Sequence, residues 1–503
     1  MFWKIFMIVI FFAVTAAIGV YYHKSATNTN DFVLGGRNVG PWLSAFAFGT
    51  TYFSATVFIG YSGQFGYSFG ISALWIGLGN ALIGSLLAWV LLGRRTRIMT
   101  KHLEVATMPD FFAARYDSKA IKIVSSIIIF IFLVPYTSSV YKGLSGLFAI
   151  SFGIPFVWCV VGMAILTAIF VIVGGYMGTA VNNFIQGIIM LIGIVLIVGS
   201  VIGGKGGFTE AIQALSQIPC ETAPGLNGAF ASLFGPDPFN LLAVCILTSL
   251  GTLGLPQMVH KFYAIKNEQS IKLGTVISVI FAVIIAGGSY FMGGFGRLYY
   301  DAVPPVYDDI VPTMLVNTLP DILIGVVLLV VLSASISSLA SLVITSSSTF
   351  IGDFLKTLVP KAFKGKTEII SIKAMCGVFI LISVVIALIP TSLITSLMGL
   401  SWGALSGAFL GPFIYGLFWK RTTKASVWCS MIVAVTLVTS NLFLKFTSPT
   451  VAGASAMILS LILVPLISLI TPRLKKEITD GAFSCYEEKV TVPAREALEE
   501  NAK

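Results

Sequence analysis

Long apolar runs dominate this sequence and leave few ways for it to fold. They recur at about thirteen places, and each is close to the roughly twenty residues that a helix needs to cross a bilayer. Hydrophobic side chains make up 56% of the 503 residues and charged ones 10%, whereas a soluble protein carries roughly 25% charged residues. A water-soluble enzyme is therefore excluded, and an all-α membrane protein is predicted.

Apolar runs and polar breaks divide the chain into one transmembrane domain, 1–472, and a tail, 473–503. The first run has no small-residue cleavage site after it, so we interpret it as a span rather than a signal peptide. We predict about thirteen spans, at 2–22, 41–66, 70–92, 120–148, 155–174, 183–203, 239–259, 272–298, 321–350, 371–390, 393–419, 425–445 and 451–472.

The charge of the connecting loops predicts the orientation. Loops 93–119, 351–370 and 420–424 are rich in Lys and Arg, whereas 204–238 and 299–320 carry more carboxylates than basic residues. Basic loops face the cytoplasm, which places the N-terminus outside and the tail inside. The net charge of +10 then reflects loops beside an anionic leaflet, so no nucleic-acid partner is expected.

The positions of the carboxylates favour a particular coupling ion. All twenty-one fall in predicted loops, tails or span ends. Proton-coupled carriers use titratable groups inside the membrane, whereas carbonyl and hydroxyl oxygens suit a hard cation such as Na⁺. Sodium coupling is therefore favoured over proton coupling, and a passive carrier that couples to no ion stays open.

Two of the predicted spans contain residues that interrupt helices. Segment 44–56 combines Gly49 with five Ser and Thr residues, and segment 248–256 contains two glycines and a proline. Hydroxyls compete for backbone hydrogen bonds and glycine weakens a helix. Interrupted spans at matching positions of two halves indicate a transport site near the midplane. We therefore predict inverted five-helix repeats at 41–203 and 239–419, with extra helices at 2–22 and 425–472.

A cluster of hydroxyl side chains lies within the predicted span 321–350. Its centre reads Ser-Ala-Ser-Ile-Ser-Ser over residues 333–338. Ser337 and Ser338 follow each other on one turn of the helix, where both oxygens could face an ion. A serine in a membrane more often bonds a carbonyl of its own helix, so the cluster by itself leaves both interpretations open.

Six short motifs, in order, resemble the sodium:solute symporter family over about residues 30–430. The runs around 51–55, 181–193 and 251–256 are most similar to the pantothenate permease branch. The motifs are Asp31–Arg37, Met108–Tyr116, Gly174–Gln186, Gly254–Pro256 followed by Lys261–Phe262, Ala334–Ser338, and Gly411–Pro412 leading to Trp419–Arg421.

This resemblance implies a fold, a mechanism and a sodium site. The family has a LeuT-like core of two inverted five-helix repeats and couples solute uptake to Na⁺ by alternating access. Its main sodium site, carried over by position, uses five residues, with no cofactor besides the coupling ion. Those residues are Thr50, Phe53, Ala334, Ser337 and Ser338.

The resemblance also bears on the number of ions and on the substrate. Asn183 stands where members with a second sodium site have aspartate, which favours one Na⁺ per cycle; alternatively, Asn183 caps a helix.

Lys142 lies deep in a span with no acid predicted nearby, so it either binds an anionic substrate or reaches the interface. Tyr52, Thr248 and Thr252 are further substrate candidates. A monocarboxylate such as pantothenate is expected, and proline is disfavoured because the threonines stand where proline carriers have aromatics.

Other features complete the prediction of a multi-pass carrier in a bacterial cell membrane. His260 and Lys261 are interpreted as an anchor at the cytoplasmic membrane surface, and the mixed-charge tail as partly disordered. No GxxxxGK[ST] motif is present, so ATP is not the energy source. The alternatives are an amino-acid (proline-type) symporter, a proton-coupled carrier, a passive channel and a solute sensor.

Overall fold

The computed structural model describes residues 2–22, 37–220, 227–300, 306–363, 365–389 and 393–486. The structure does not describe the side chains of helical residues 16, 19, 20, 22 and 172–178. The first resemblance motif (31–37), apart from Arg37, and tail residues 487–503 also lie outside it.

The described residues are helical, apart from loops and one isolated β-bridge between Val39 and Ile265. In chain order the α-helices are α1 (Phe2–Tyr22), α2 (Pro41–Tyr52), α3 (Ser62–Phe69), α4 (Leu74–Gly79), α5 (Arg94–His102), α6 (Met108–Tyr116), α7 (Lys119–Phe152), α8 (Phe156–Gly203), α9 (Phe208–Ser216), α10 (Pro238–Gly254), α11 (Pro256–Tyr263), α12 (Glu268–Gly294), α13 (Ile310–Thr318), α14 (Asp321–Thr349), α15 (Lys366–Ala387), α16 (Ile394–Phe418), α17 (Lys424–Leu444), α18 (Pro449–Ile470) and α19 (Lys476–Phe483).

Tighter or wider helical turns join some of these helices. Wider, π-type turns are Thr56–Tyr61, Asn80–Leu87, Trp89–Gly93 and Phe350–Leu355, the last followed by the short turn Lys356–Leu358; 3-10 turns are Gly70–Ala73, Ala229–Ala231, Gly296–Tyr299, Tyr307–Asp309 and Ser484–Tyr486.

Nine helical segments of the described residues are long and apolar enough to cross a bilayer. The helices α10 and α11, bent by 43° relative to each other, make a tenth if the pair counts as one span. The all-helical membrane class is thus confirmed, while the number of about thirteen spans and the orientation of the termini stay predictions.

The structure joins two pairs of predicted spans. The predicted spans 155–174 and 183–203 form the single helix α8, of 48 residues. The helical segment Thr56–His102 likewise runs through the boundary predicted near residue 67. Within it, Gly70 has φ +64°, and a Cβ there would lie 2.1 Å from the carbonyl oxygen of Phe230. This position therefore requires glycine.

The helices that carry the predicted site lie at the centre of the bundle. Helix α14 packs between α7 and α8 and contacts α2, while α16 packs against α7, α10, α17 and α18. From Val327 to Thr349 nearly every residue of α14 is buried. A serine-rich helix thus lies in the protein interior, where each hydroxyl needs a partner from the protein or from a ligand.

Part of the tail forms a short helix that packs against the rest of the protein. Helix α19 lies against the segment that contains α5 and α6. The guanidinium of Arg115 stands 5.0 Å from the ring centre of Phe483, and the hydroxyl of Tyr486 donates to the carbonyl of Arg95 at 2.9 Å. Aromatic side chains of the tail therefore bind it to the rest of the protein, an attachment that the mixed charge of the tail did not predict.

Candidate functional site

The first interrupted span breaks where the sequence predicted it. Helix α2 ends at Tyr52, and Phe53 has an extended backbone (φ −99°, ψ 95°) before helical structure resumes at Thr56. The break leaves carbonyl groups at the end of α2 without partners in the next turn of the same helix. Thr50 and Thr51, both buried, lie at this end.

Ser337 and Ser338 of α14 point at those carbonyls. Ser337 Oγ donates to the Thr50 carbonyl at 2.8 Å, and Ser338 Oγ lies 3.1 Å from the carbonyl oxygens of both Thr50 and Thr51. Both hydroxyls also lie within hydrogen-bond distance of the Ala334 carbonyl, at 3.1 and 2.9 Å. The structure therefore gathers oxygens from four of the five predicted sodium ligands.

The fifth predicted ligand, Phe53, lines a cavity together with Ala334. This cavity, of about 10 Å³, is lined by Phe53, Ser54, Ser289 and Ala334, together with apolar side chains. That volume is close to what one water molecule requires. Among the described residues no three His, Cys, Asp or Glu side chains group as a metal site, and neutral oxygens are the available ligands.

The second interrupted span is the bent pair α10–α11. Helix α10 ends at Gly254, Leu255 is extended, and α11 begins at Pro256. Ser406 of α16 donates to the carbonyl of Gly251 at 2.6 Å. The same carbonyl accepts from the backbone N–H of Leu255 at 3.1 Å, so a side chain from another helix adds a second hydrogen bond beside the break. The predicted break at 248–256 is present.

Three of the predicted substrate residues lie together between the two breaks. The hydroxyl of Tyr52 donates to the Thr248 carbonyl at 2.7 Å. Thr252 Oγ1 donates to the Gly84 carbonyl at 2.9 Å, and Thr248 Oγ1 to the Val244 carbonyl at 2.8 Å. Both threonine hydroxyls are therefore committed to the backbone in this structure.

Aromatic rings form one wall of this region. The ring of Tyr52 stacks on that of Phe53, at 4.2 Å between centroids, and lies 6.2 Å from Trp402. A Cβ at Gly251 would lie 2.6 Å from the Trp402 ring, and one at Gly84 would lie 2.3 Å from the Tyr52 hydroxyl. Trp402 of α16 thus lies beside Tyr52, a predicted substrate residue.

Lys142 has protein partners that the sequence did not reveal. Its ammonium donates to the carbonyl of Ile389 at 2.6 Å and interacts electrostatically with Asp308. Asp308 Oδ2 accepts from the backbone N–H of Ile394, while its Oδ1 has no partner, and burial raises the pKa of this carboxyl to about 6. The premise that no acid lies near Lys142 is wrong. A role of Lys142 in substrate binding stays a prediction.

His260 and Lys261 are not an anchor at the membrane surface. Both are buried, with 7% and 5% of their surface exposed. Lys261 Nζ donates to Ser341 Oγ at 2.8 Å, and Ser341 Oγ shares a hydrogen bond of 3.0 Å with Thr51 Oγ1. The predicted anchor is corrected because α11 packs against α2 and α14, inside the bundle.

Asn183 is not a helix cap. It lies in the interior of α8, where neither atom of its buried amide has a hydrogen-bond partner. Gln186, one turn further along the same helix, is in the same situation. The capping interpretation of Asn183 is therefore wrong, while the proposal of one Na⁺ per cycle stays a prediction.

A family model connects this geometry to known proteins. The model of the sodium:solute symporter family matches residues 32–434. The chain belongs to the sodium:solute symporter family. It is therefore a Na⁺-coupled solute symporter rather than an enzyme, and the six-motif resemblance is confirmed at this level.

Curated relatives of this symporter transport proline. It is 27% identical to the sodium/proline symporter of Salmonella typhimurium over 84% of each chain. It is 29% identical to the osmoregulated proline transporter of Bacillus subtilis, over 92% of this chain and 94% of that one. The expected likeness to pantothenate and monocarboxylate permeases is not supported.

Solved structures show the same fold. A Na⁺-coupled sialic acid symporter superposes with a TM-score of 0.74 at 19% identity, covering 95% of this chain and 99% of that one. The nucleobase-cation-symport transporter Mhp1 superposes with a TM-score of 0.53 at 14% identity, covering 90% and 97%. The LeuT-like architecture is therefore supported.

Proposed function

We propose that this symporter couples the inward movement of Na⁺ to the uptake of proline across a bacterial cell membrane. The observation that carries the proposal is that bacterial proline symporters match 83% or more of the chain. The expectation of a monocarboxylate rested on a branch likeness that the comparisons do not support. It also rested on the premise that no acid lies near Lys142, whereas Lys142 donates to the Ile389 carbonyl and interacts electrostatically with Asp308.

The aromatic wall supports proline as the substrate. The pyrrolidine ring of proline is apolar and suits the faces of Tyr52, Phe53 and Trp402, which stack close together. Threonine at 248 and 252 argued against proline because aromatic residues were expected in α10. Here the aromatic surface comes from α2 and α16, so this argument no longer excludes proline.

We propose that Na⁺ binds at Thr50, Phe53, Ala334, Ser337 and Ser338. Four of these residues place their oxygens within hydrogen-bond distance of one another, and Phe53 lines the adjacent cavity. The ligand set is neutral, which suits a weakly bound monovalent cation that is released in each cycle. In this proposal one Na⁺ moves with each proline by alternating access. The protein has about thirteen spans, and its N-terminus lies outside the cell.

Uptake into proteoliposomes tests the proposal directly. Labelled proline, pantothenate, lactate and glucose are offered under an inward Na⁺ gradient, an inward K⁺ gradient or a pH gradient. We expect accumulation of proline under the Na⁺ gradient alone. Accumulation driven only by the pH gradient would refute the coupling ion, equal uptake without any gradient would indicate a passive carrier, and preference for another solute would refute the substrate.

A further inference from the structure

A buried lysine lies next to the proposed sodium site but on a different helix. Lys261 belongs to α11, the second half of the bent span, and only 5% of its surface is exposed. A buried ammonium is costly unless polar groups solvate it. Its position within the protein interior therefore requires an explanation that the proposed ligand set does not provide.

Two hydrogen bonds connect this ammonium to the site. Lys261 Nζ donates to Ser341 Oγ at 2.8 Å, and Ser341 Oγ lies 3.0 Å from Thr51 Oγ1. The carbonyl of the same Thr51 lies 3.1 Å from Ser338 Oγ, one of the proposed sodium ligands. Thr51, at the break of α2, therefore contacts both Ser341, which accepts from the lysine, and Ser338, which belongs to the proposed sodium site.

Ser341 also places the lysine on the sodium-binding face of α14. It follows Ser337 by four residues, so the two side chains lie one above the other on the helix. Thr345 continues this face by another turn, and both Ser341 and Thr345 are largely buried. The lysine thus stands against a line of hydroxyls that begins at the proposed ion site.

The distance is short enough for the charges to interact strongly. The two hydrogen bonds place the ammonium at most about 6 Å from Thr51 Oγ1, and hence on the order of 10 Å from an ion at the Thr50 and Ser338 oxygens. With an effective dielectric constant of about 20, the repulsion between two unit charges at that distance weakens cation binding about tenfold.

We propose that the Lys261 ammonium is a built-in cation beside the sodium site that lowers the affinity for Na⁺ by charge repulsion. This inference rests on the proposed function, because it assumes that Na⁺ binds at the Thr50, Ser337 and Ser338 oxygens. In this arrangement the protein holds Na⁺ weakly enough to release it, while the bridge through Ser341 and Thr51 keeps the ammonium in place.

The test separates the charge of Lys261 from its size. Lys261→Met and Lys261→Gln remove the charge from a long side chain, and Lys261→Arg keeps it. Lys266→Met is the matched control, because Lys266 follows the same half-helix but its side chain is exposed. Half-saturating Na⁺ is measured in proline uptake by proteoliposomes and, independently of transport, by ²²Na⁺ scintillation proximity binding to the purified protein.

We expect Lys261→Met and Lys261→Gln to bind Na⁺ about tenfold more tightly, with Lys261→Arg and Lys266→Met within about twofold of the wild type. Unchanged or weaker Na⁺ binding in both neutral variants would overturn the inference, and so would an equal shift in Lys261→Arg, which would indicate packing rather than charge. The binding assay decides even where a variant no longer transports. Wild-type protein that binds no Na⁺ would overturn the proposed function first, and this inference with it.

Discussion

Replacing Ser337 or Ser338 with alanine removes one oxygen from the proposed sodium site and leaves the backbone carbonyls in place. Ser337 Oγ lies 2.8 Å from the Thr50 carbonyl, and Ser338 Oγ lies 2.9–3.1 Å from the carbonyls of Thr50, Thr51 and Ala334. Each hydroxyl is therefore positioned among the other ligands before the ion binds. We expect each substitution to raise the Na⁺ concentration for half-maximal uptake.

The magnitude follows from the loss of one neutral ligand. A polar group that faces a charge contributes about 1.5–3 kcal/mol. The neighbouring cavity, of about 10 Å³, has room for about one water molecule, which can replace part of the lost interaction. The lower value then applies, and about 1.5 kcal/mol corresponds to roughly a tenfold increase in half-saturating Na⁺.

Ser335 provides a matched control on the same helix. It is fully buried, but its hydroxyl donates to the carbonyl of Val331 in its own helix at 2.6 Å. Ser335→Ala therefore removes an equivalent buried hydroxyl that does not face the break. Proline uptake is measured against Na⁺ concentration for all three variants. Shifts for Ser337→Ala and Ser338→Ala no larger than for Ser335→Ala would refute the site.

Three further substitutions test the substrate region and the Asp308 carboxyl. Gly251→Ala places a Cβ 2.6 Å from the Trp402 ring, so we expect at least a tenfold loss of kcat/KM for proline uptake, whereas Gly146→Ala, which meets no atom within 4 Å, should transport normally. Tyr52→Phe removes the hydrogen bond to the Thr248 carbonyl and should raise half-saturating proline about three- to tenfold; an unchanged value would exclude the hydroxyl from the site. Burial raises the pKa of the Asp308 carboxyl to about 6, so the folded protein binds a proton at this carboxyl more tightly than the unfolded chain does. The protonated carboxyl therefore contributes stability at low pH, and this contribution is lost as the pH rises through about 6. Asp308→Asn should therefore melt at a higher temperature than the wild type at pH 7.5, with the difference shrinking toward pH 4.5 in scanning fluorimetry; a difference independent of pH would contradict this assignment.

Local sequence determined the helices and their breaks. The apolar runs correspond to helices because a backbone in lipid must satisfy its own hydrogen bonds. The Ser, Thr and Gly residues of 44–56 and the Gly and Pro residues of 248–256 interrupt helices through local backbone chemistry, and both breaks are present in the structure. The serine pair at 337–338 was a candidate because it places two hydroxyls on one turn, but only the family resemblance favoured ion binding over a bond within its own helix.

The same local patterns misplaced some boundaries. Hydropathy separated 155–174 from 183–203 at a stretch rich in glycine and polar residues, whereas the structure continues one helix through it. Glycine and asparagine weaken a helix by only about 1 kcal/mol or less per residue, which packing of α8 against α1, α2 and α14 can overcome. Propensity therefore indicated a loop where tertiary contacts stabilise a helix.

Only the tertiary structure decided which polar groups meet. Lys142 was a substrate candidate because no acid was predicted near it, yet Asp308, in a separate loop, interacts with it electrostatically. Lys261 was interpreted as a surface anchor because it ends an apolar run, yet it donates to Ser341, 80 positions away. Thr51 and Ser341, which complete that bridge, are 290 positions apart. The sequence of a helix determines which residues share a face of that helix. The residues that this face contacts depend on how helices distant in the chain pack against it. Those contacts determine the free-energy cost of burying a charge.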